Sequence, residues 1–381
     1  MNKRLLFVQY LGFITIGLVN TIISPLIPAM NTEFKMNFGQ MGYILSGQFF
    51  GCLITVIFGG YLADRFGKKP FLLIGGVILI CGLTGSIFSG SYNQLLFWNI
   101  ITGLGFGTYE IGINALCADV TENNKGGAMN FLHFFFGLGA ISGPLLATFC
   151  TRVFESWRLT FGITLILPLL VSFILVPLKV NKAPHTESKE EKIPFHDLFI
   201  WIVGLSTFIY VGIETSVFGW MPVYWEKLPS SSFIPATMIG MIFWLSLTVG
   251  RLICGAITDR LGFPKFLLLA AAGTAVFSLV WWMAPNSIVT FGASLIIGLF
   301  LASVFPTIMA SMTSYYPANS GKIAAFVTVF AALGGFLVPT AIGKLADRIG
   351  IMMLPAIIFV MAVLMVLGIY TAWFRMKKNV D

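Results

Sequence analysis

Charged side chains are scarce in this 381-residue chain, because Asp, Glu, Lys and Arg together make up only 10% of it while hydrophobic residues make up 57%. Soluble domains carry about 25% charged residues, so this composition excludes an ordinary soluble protein. Long polar segments are also lacking. Apolar runs of about 20 residues, long enough to cross a bilayer as helices, recur along the whole chain. We therefore predict an all-α membrane protein.

Cysteine and histidine are equally few, with five Cys and three His. All five cysteines fall inside apolar runs, which argues against a disulfide framework or a metal site. No nucleophile–base pair and no cluster of metal ligands stands out in the sequence. We therefore expect neither an enzyme nor a bound cofactor or metal.

Twelve membrane spans are predicted, joined by short loops that carry turn residues. The run after Lys3 and Arg4 is too long for a cleaved signal peptide, so we expect it to remain as the first span. The longest polar segment is rich in Lys and Glu and predicts a solvated linker. The predicted domains are an N-terminal six-helix bundle at 1–178, a cytoplasmic linker at 179–196 and a C-terminal six-helix bundle at 197–381. The predicted spans are about 5–29, 40–63, 70–90, 95–118, 128–151, 159–178, 198–222, 236–258, 265–284, 288–314, 323–346 and 351–374.

Most of the 23 Lys and Arg residues lie in the two tails and in every second loop. Basic residues concentrate on the cytoplasmic side of membrane proteins. This distribution predicts a multi-pass protein of the cell (plasma or inner) membrane with both termini cytoplasmic. It also accounts for the net charge of +8 without a nucleic-acid partner.

The two halves of the sequence repeat each other. A shift of 195 residues aligns three separated segments: 60–67 with 255–262, 103–104 with 298–299, and 138–144 with 333–339. One shift that serves three regions indicates two similar halves, related by an axis along the membrane normal. Such an arrangement places a site at their interface near mid-membrane.

One run, 95–118, combines a carboxylate with an amide. Glu110 and Asn114 are four residues apart, which places them on one face of a helix. A carboxylate facing lipid costs at least about 2.5 kcal/mol, so Glu110 should point into a bundle interior or a wet cavity. We interpret the pair as a substrate or ion site. The alternative is a protonated or paired glutamate with a structural role.

Glycines at 103, 105 and 107 in the same run are spaced like part of a nucleotide-binding loop. They follow no strand and lie within an apolar span, so a nucleotide site is a weak interpretation. Close helix packing through small residues is the stronger one.

The segment 59–69 reads G-G-Y-L-A-D-R-F-G-K-K, and 255–262 repeats it as G-A-I-T-D-R-L-G. These turns resemble the G-x-L-x-D-R-x-G-R/K-K/R signature of the major facilitator superfamily, and the resemblance covers the whole chain. It implies the fold of that superfamily, with twelve transmembrane helices in two pseudo-symmetric six-helix halves. It also implies secondary active transport by alternating access.

The acid and base of each turn are candidates for gating. An acid at a helix end can pair with a base or a neighbouring helix N-terminus, and such a pair can hold one conformer and break in another. We assign this role to Asp64, Arg65, Asp259 and Arg260. Arg251 lies eight residues before Asp259 on the same helical face and is expected to brace the turn. The alternative is that both are simply charged turns that satisfy the membrane topology.

Further segments narrow the resemblance to the fucose:proton symporter family. They are Glu110-x-x-x-Asn114, then N-F-L-H-F-F-F-G-L-G-A at 130–140 and F-I-Y-V-G-I-E at 208–214. Members of that family use the span-4 carboxylate to carry the coupling proton, and amides and aromatics to hold a sugar. The resemblance therefore implies proton coupling at Glu110 and substrate binding at Asn114.

Other polar and aromatic residues complete the predicted binding site. His133 could accept a substrate hydroxyl or exchange a proton with Glu110, or could donate one hydrogen bond to a carbonyl. Glu214 could act on the substrate side or make a structural hydrogen bond. Sugar permeases of this kind can carry an acid in span 1, whereas Asn20 and its neighbours here include none. The added substrate-binding candidates are Asn20, Asn130, His133, Glu214, Trp220 and Trp244.

The expected function is proton-coupled symport of a sugar or similar small polar solute by a monomer in the lipid bilayer, with H⁺ as the coupling ion. One alternative is a proton-coupled drug efflux antiporter, because Gly139-x-x-x-Gly143-Pro144 resembles part of the motif of those proteins. Sodium-coupled sugar uptake is another, because a carboxylate with nearby amide oxygens also suits a cation. A membrane sensor is disfavoured by the lack of an appended signalling domain.

Overall fold

Helices form all the regular secondary structure in the part of the chain that the computed structural model describes. The chain divides into two compact units, Met1–Glu187 and Ser188–Asp381. The described residues are 3–120, 125–179, 197–228, 233–316 and 319–377, without the side chains at 64, 118–120, 125–130, 254–256, 259, 320 and 374–377.

Fifteen α-helices account for these ranges, and each unit contains a run of them. The first unit holds α1 (Lys3–Thr21), α2 (Ile23–Phe34), α3 (Phe38–Phe66), α4 (Lys68–Ile87), α5 (Tyr92–Val120), α6 (Lys125–Val153), α7 (Trp157–Thr164) and α8 (Ile166–Leu175). The second unit holds α9 (Leu198–Glu226), α10 (Ala236–Leu261), α11 (Phe263–Met283), α12 (Ser287–Leu301), α13 (Val304–Tyr315), α14 (Ser320–Ile349) and α15 (Leu354–Lys377), with a 3-10 turn at Ile351–Met353.

Eleven helical segments among the described residues are long and apolar enough to span a membrane. Helix α5 is not one of them although it has 29 residues, because its amides and its carboxylate lower its mean hydropathy. Together with α5 these segments make twelve spans, as predicted. Three predicted spans are each built from two helices: α1 with α2, α7 with α8, and α12 with α13.

A proline lies at each of these three interruptions. Pro25, Pro168 and Pro306 each lie near the start of the second helix of the pair. Proline has no N–H group, so the carbonyl four residues earlier loses its helical hydrogen bond. In the last of the three spans this carbonyl belongs to Ala302, and it becomes available to a side chain. These prolines were visible in the sequence, but the sequence analysis treated each span as continuous.

Helix starts are fixed by polar caps. The Asn37 side chain accepts a hydrogen bond from the Gln40 N–H at 2.8 Å, and the Gln40 side chain accepts one from the Asn37 N–H at 3.0 Å. This reciprocal capping box satisfies N–H groups that the first turn of α3 cannot use. Ser156, Asp197 and Asn286 cap the starts of α7, α9 and α12 in the simpler one-way form.

The glycines of α5 allow close packing on two sides, as predicted. A Cβ atom on Gly103 would overlap the carbonyl oxygen of Gln48 in α3, and Gly107 faces the same helix. A Cβ on Gly105 would lie 2.7 Å from the backbone nitrogen of Leu79 in α4. Small residues let α5 approach both neighbours at backbone distance. This tight packing holds α5, which carries Glu110, against α3 and α4.

The internal repeat is present in the packing of the second unit as well. Gly298 of α12 lies against α10, where an added Cβ would be 2.8 Å from the carbonyl oxygen of Phe243. Gly103 contacts Gln48 in the same way. The shift of 195 residues carries position 103 onto 298 and position 48 onto 243, so the two contacts are equivalent. The repeat therefore preserves a helix contact as well as sequence letters.

An ion pair joins three helices at one end of the first unit. Arg158 binds both carboxylate oxygens of Glu33, at 2.6 and 2.7 Å, and also donates to the carbonyl oxygens of Ile87 and Ser89. The indole N–H of Trp157 donates to the same carboxylate at 2.9 Å. Bidentate geometry with several added hydrogen bonds is the strong form of such a pair. It fastens the end of α2 to α7 and to the turn after α4.

The glycine-rich turn motif occurs three times, not twice. Gly67, Gly262 and Gly350 end α3, α10 and α14 with φ of 89°, 76° and 82° and ψ of 150°, 156° and 152°. Each donates its N–H to the carbonyl four residues earlier. The third copy, G-K-L-A-D-R-I-G at 343–350, lies outside the 195-residue repeat, since residues 148–155 do not match it. The repeat therefore did not predict it, although the motif letters are present in the sequence.

We expect Gly67→Ala to destabilise the protein by roughly 1–3 kcal/mol, because its φ and ψ lie in a region that is open essentially to glycine alone. Gly60→Ala is the matched control within the same motif. Gly60 lies inside α3, and a Cβ there meets nothing within 4 Å, so this change should stabilise by up to about 1 kcal/mol. Melting temperatures of both purified variants provide the measurement. Equal stability of the two would refute the capping role of Gly67.

Candidate functional site

Glu110 is a partly buried carboxylate in the middle of the first unit. Its Oε2 atom accepts a hydrogen bond from the Cys52 thiol of α3 at an Sγ–Oε2 distance of 3.9 Å. A thiol is a weak donor, and no Lys or Arg among the described residues forms an ion pair with this carboxylate. A span carboxylate without a counter-ion has a strong tendency to bind a proton, a cation or a hydroxyl donor.

Asn114 follows Glu110 by one turn on the same helix. Helix α5 is continuous through both residues, so the spacing of four places their side chains on one face. The Asn114 Oδ1 atom is buried and has no hydrogen-bond partner in the described structure. Buried polar atoms are nearly always hydrogen-bonded in folded proteins. The unpartnered acceptor and the carboxylate without a counter-ion make this face of α5 the candidate site.

Gln9 of α1 is a further unpartnered amide, and the sequence analysis missed it. Its side chain is only 1% exposed, and neither Oε1 nor Nε2 has a hydrogen-bond partner. The available signal was that Gln9 is one of two amides, with Asn20, in the first apolar run. Nothing in the sequence distinguished it from Gln48, whose amide donates to the Val19 carbonyl at 3.2 Å.

The other polar candidates of the first unit lie in α1 and α6. His133 is partly buried, and its ring packs edge-on against Phe13 of α1 with ring centroids 5.2 Å apart. Asn20 is partly buried near the end of α1. The side chain of Asn130 lies outside the described residues. The structure thus places His133 next to α1, and the predicted proton exchange with Glu110 stays a prediction.

A second ionisable cluster lies inside the second unit. The Tyr210 hydroxyl donates to Oε2 of Glu214, one turn further along α9. Arg251 of α10 lies close enough for its charge to act on both side chains. Its Nε donates to the Ala302 carbonyl at 3.2 Å, which is the carbonyl released by Pro306 between α12 and α13. Unlike Glu110, Glu214 therefore has a nearby positive charge.

The two tryptophans predicted to bind substrate pack inside the second unit. Trp220 is fully buried, and its indole N–H donates to the Pro339 carbonyl of α14 at 3.2 Å. Trp244 is 3% exposed and packs edge-on against Phe218, with ring centroids 5.8 Å apart. Trp220 thereby joins α9 to α14, a contact that needs no ligand.

Only some of the side chains assigned to gating are described by the structure. The side chains of Asp64 and Asp259 lie outside the described residues. Arg65 donates to the Tyr61 hydroxyl at 3.2 Å, within the same helix, and Arg260 is exposed at the end of α10. A gating role of these two turns stays a prediction.

Comparison with known proteins identifies similar sequences over nearly the whole chain. The family model of the Major Facilitator Superfamily matches residues 10–339. The glucose/mannose transporter GlcP of Bacillus subtilis (strain 168) is 22% identical over 372 residues, which cover 94% of this chain and 92% of that protein. The cis,cis-muconate transport protein of Acinetobacter baylyi is 25% identical, with 98% of this chain and 94% of that protein covered.

Among solved structures, the crystal structure of a D-xylose-proton symporter superposes with a TM-score of 0.83. The alignment covers 96% of this chain and 97% of that one, at 18% sequence identity. At this identity the likeness establishes the twelve-helix fold.

Proposed function

We propose that this chain, which belongs to the Major Facilitator Superfamily and is a membrane transporter rather than an enzyme, takes up a neutral sugar or similar polyol together with protons. Transport would proceed by alternating access. The names of a glucose/mannose transporter and a D-xylose-proton symporter among similar proteins support the choice of a sugar. We place the protein in the cell membrane with both termini cytoplasmic, on the distribution of its basic residues.

The observation that carries the proposal is the polar face of α5. Glu110 has only a weak thiol donor at 3.9 Å, and the Asn114 Oδ1 atom has no hydrogen-bond partner. Both groups accept hydrogen bonds from hydroxyls, and the Asn114 amide can also donate one. A solute rich in hydroxyl groups satisfies this pair without bringing a charge of its own.

Solutes that carry a carboxylate, such as muconate, suit the described side chains poorly. Arg251 is the one Lys or Arg among the described residues that lies more than two turns from either end of its helix. Its guanidinium already donates to Ala302 and lies near Glu214. An anionic solute near Glu110 would have no compensating cation among the described residues, which is costly inside a membrane.

The lack of a counter-ion at Glu110 supports proton coupling. Closing a site around an ionised carboxylate is unfavourable in a low-dielectric interior, and a bound proton removes that charge. The protonated carrier can then hold the solute and change conformation. Release of the proton on the other side resets the empty carrier.

The test is uptake of radiolabelled D-glucose, D-mannose and D-xylose into proteoliposomes with an imposed proton gradient. We expect at least one sugar to accumulate above its equilibrium level, and a protonophore to abolish the accumulation. Liposomes without protein provide the control. Accumulation driven by a sodium gradient alone would contradict proton coupling, and the absence of uptake of any sugar would contradict the substrate class.

A further inference from the structure

Gln9 is the one amide side chain in the described part of the first unit whose two polar atoms are both buried and unpartnered. Only 1% of the residue is exposed, and both its donor and its acceptor lack partners. Asn114 has one unpartnered atom, and Gln48 has its amide engaged with Val19. Burial of an amide without hydrogen bonds is unfavourable for the fold, so the structure itself gives no reason for a glutamine at this position.

Helix packing places Gln9 beside the polar face of α5. Gly12, three residues later, lies so close to α5 that an added Cβ would overlap Cδ1 of Ile113. Phe13, four residues later, contacts His133 of α6. Residues three and four apart share a helical face, so Gln9 lies on the face of α1 that meets these two helices.

The levels of the two amides also match. Helices α1 and α5 form the first and fourth spans and therefore run in opposite directions. Gly12 and Ile113 are in contact and define a common level. Gln9 is three residues before Gly12 and Asn114 is one residue after Ile113, so in antiparallel helices both amides are displaced in the same direction. The two amides therefore lie within about 3 Å of the same level along the helices. Glu110 lies one turn earlier in α5, about 6 Å along the helix from Asn114 and on the side away from the level of Gln9.

We propose that Gln9 is a substrate-binding residue, and that Gln9, Asn114 and Glu110 together bind adjacent hydroxyl groups of a neutral polyol. An amide offers both a donor and an acceptor, and a hydroxyl group needs both. The carboxylate accepts from a further hydroxyl. This assignment rests on the proposed function and names side chains of the first unit that would distinguish a sugar from an apolar or an anionic solute.

The test compares Gln9→Met with Gln48→Met. Methionine keeps the unbranched chain and removes both polar atoms, so each variant changes hydrogen bonding with little change of shape. The melting temperature of each purified variant is measured in detergent, without ligand and with D-glucose, D-mannose or D-xylose. Dissociation constants for the sugars are obtained by titration.

Without ligand, Gln9→Met should melt at or above the wild-type temperature, because it removes two unsatisfied buried atoms. Gln48→Met should melt lower, because the Val19 carbonyl loses its donor. With sugar, Gln9→Met should bind on the order of tenfold or more weakly than wild type, as expected from losing hydrogen bonds in a buried site. Gln48→Met should keep wild-type affinity wherever it remains folded.

Two results would overturn the assignment while leaving the proposed function intact. One is a melting temperature of Gln9→Met as low as that of Gln48→Met, which would mean that the amide stabilises the fold. The other is wild-type affinity of Gln9→Met for a sugar that the wild type binds. A wild type that binds none of the sugars would instead contradict the proposed function, and the polyol assignment with it.

Discussion

Glu110→Gln should abolish proton-driven accumulation of substrate while leaving binding and exchange in place. Glutamine mimics the protonated carboxylic acid in shape and retains hydrogen-bonding groups, so the substrate can still bind. A loaded carrier can still change conformation, which preserves exchange of labelled for unlabelled substrate. The empty carrier has no proton to release and cannot be reset by the gradient. The expected loss is complete for accumulation and small for exchange.

Proteoliposomes with and without a pH gradient provide the measurement. Glu226→Gln serves as the control, because Glu226 is an exposed acid at the end of α9 and its variant should behave as wild type. Wild-type accumulation by Glu110→Gln would remove Glu110 from proton coupling and leave Glu214 or His133 as the next candidate. Loss of both binding and exchange would show that glutamine cannot replace the carboxyl group in substrate contact or in the fold.

The second large effect is expected in the cluster of the second unit. Arg251→Met should destabilise the protein by roughly 1–3 kcal/mol, because the Ala302 carbonyl loses its donor and Glu214 loses its nearby positive charge. Glu214→Gln should destabilise less, since Arg251 keeps its bond to Ala302 and glutamine can still accept from Tyr210. The double variant should be more stable than the sum of the two single effects predicts, by about 1 kcal/mol.

Thermal or denaturant melting of the four proteins measures this double-mutant cycle. Arg260→Met is the matched control, because Arg260 lies on the same helix but is exposed at its end. Its removal should change stability by no more than about 0.5 kcal/mol. Strict additivity of the Arg251 and Glu214 variants would show that the two side chains do not interact.

Much of the fold was predictable because it depends on hydropathy and on residue type. The apolar runs predicted twelve spans, and the 195-residue shift predicted a repeat that the packing of Gly103 and Gly298 preserves. The glycines of α5 were assigned to helix packing because no strand precedes them, and the structure confirms this. The split spans could not have been predicted from proline alone, because Pro144, Pro222 and Pro339 lie inside helices that continue through them.

The sequence by itself determined that Glu110 and Asn114 share a helical face, since a spacing of four residues is a local property of any helix. It could not determine which polar side chains find partners, because hydrogen bonds between helices depend on how the helices pack. Gln9 and Gln48 are alike in sequence context, yet only Gln48 has a helix carbonyl within reach. Glu110 and Glu214 are both span carboxylates, yet only Glu214 lies near an arginine. Tertiary packing alone decided these differences, because it brings together groups that are far apart in the chain.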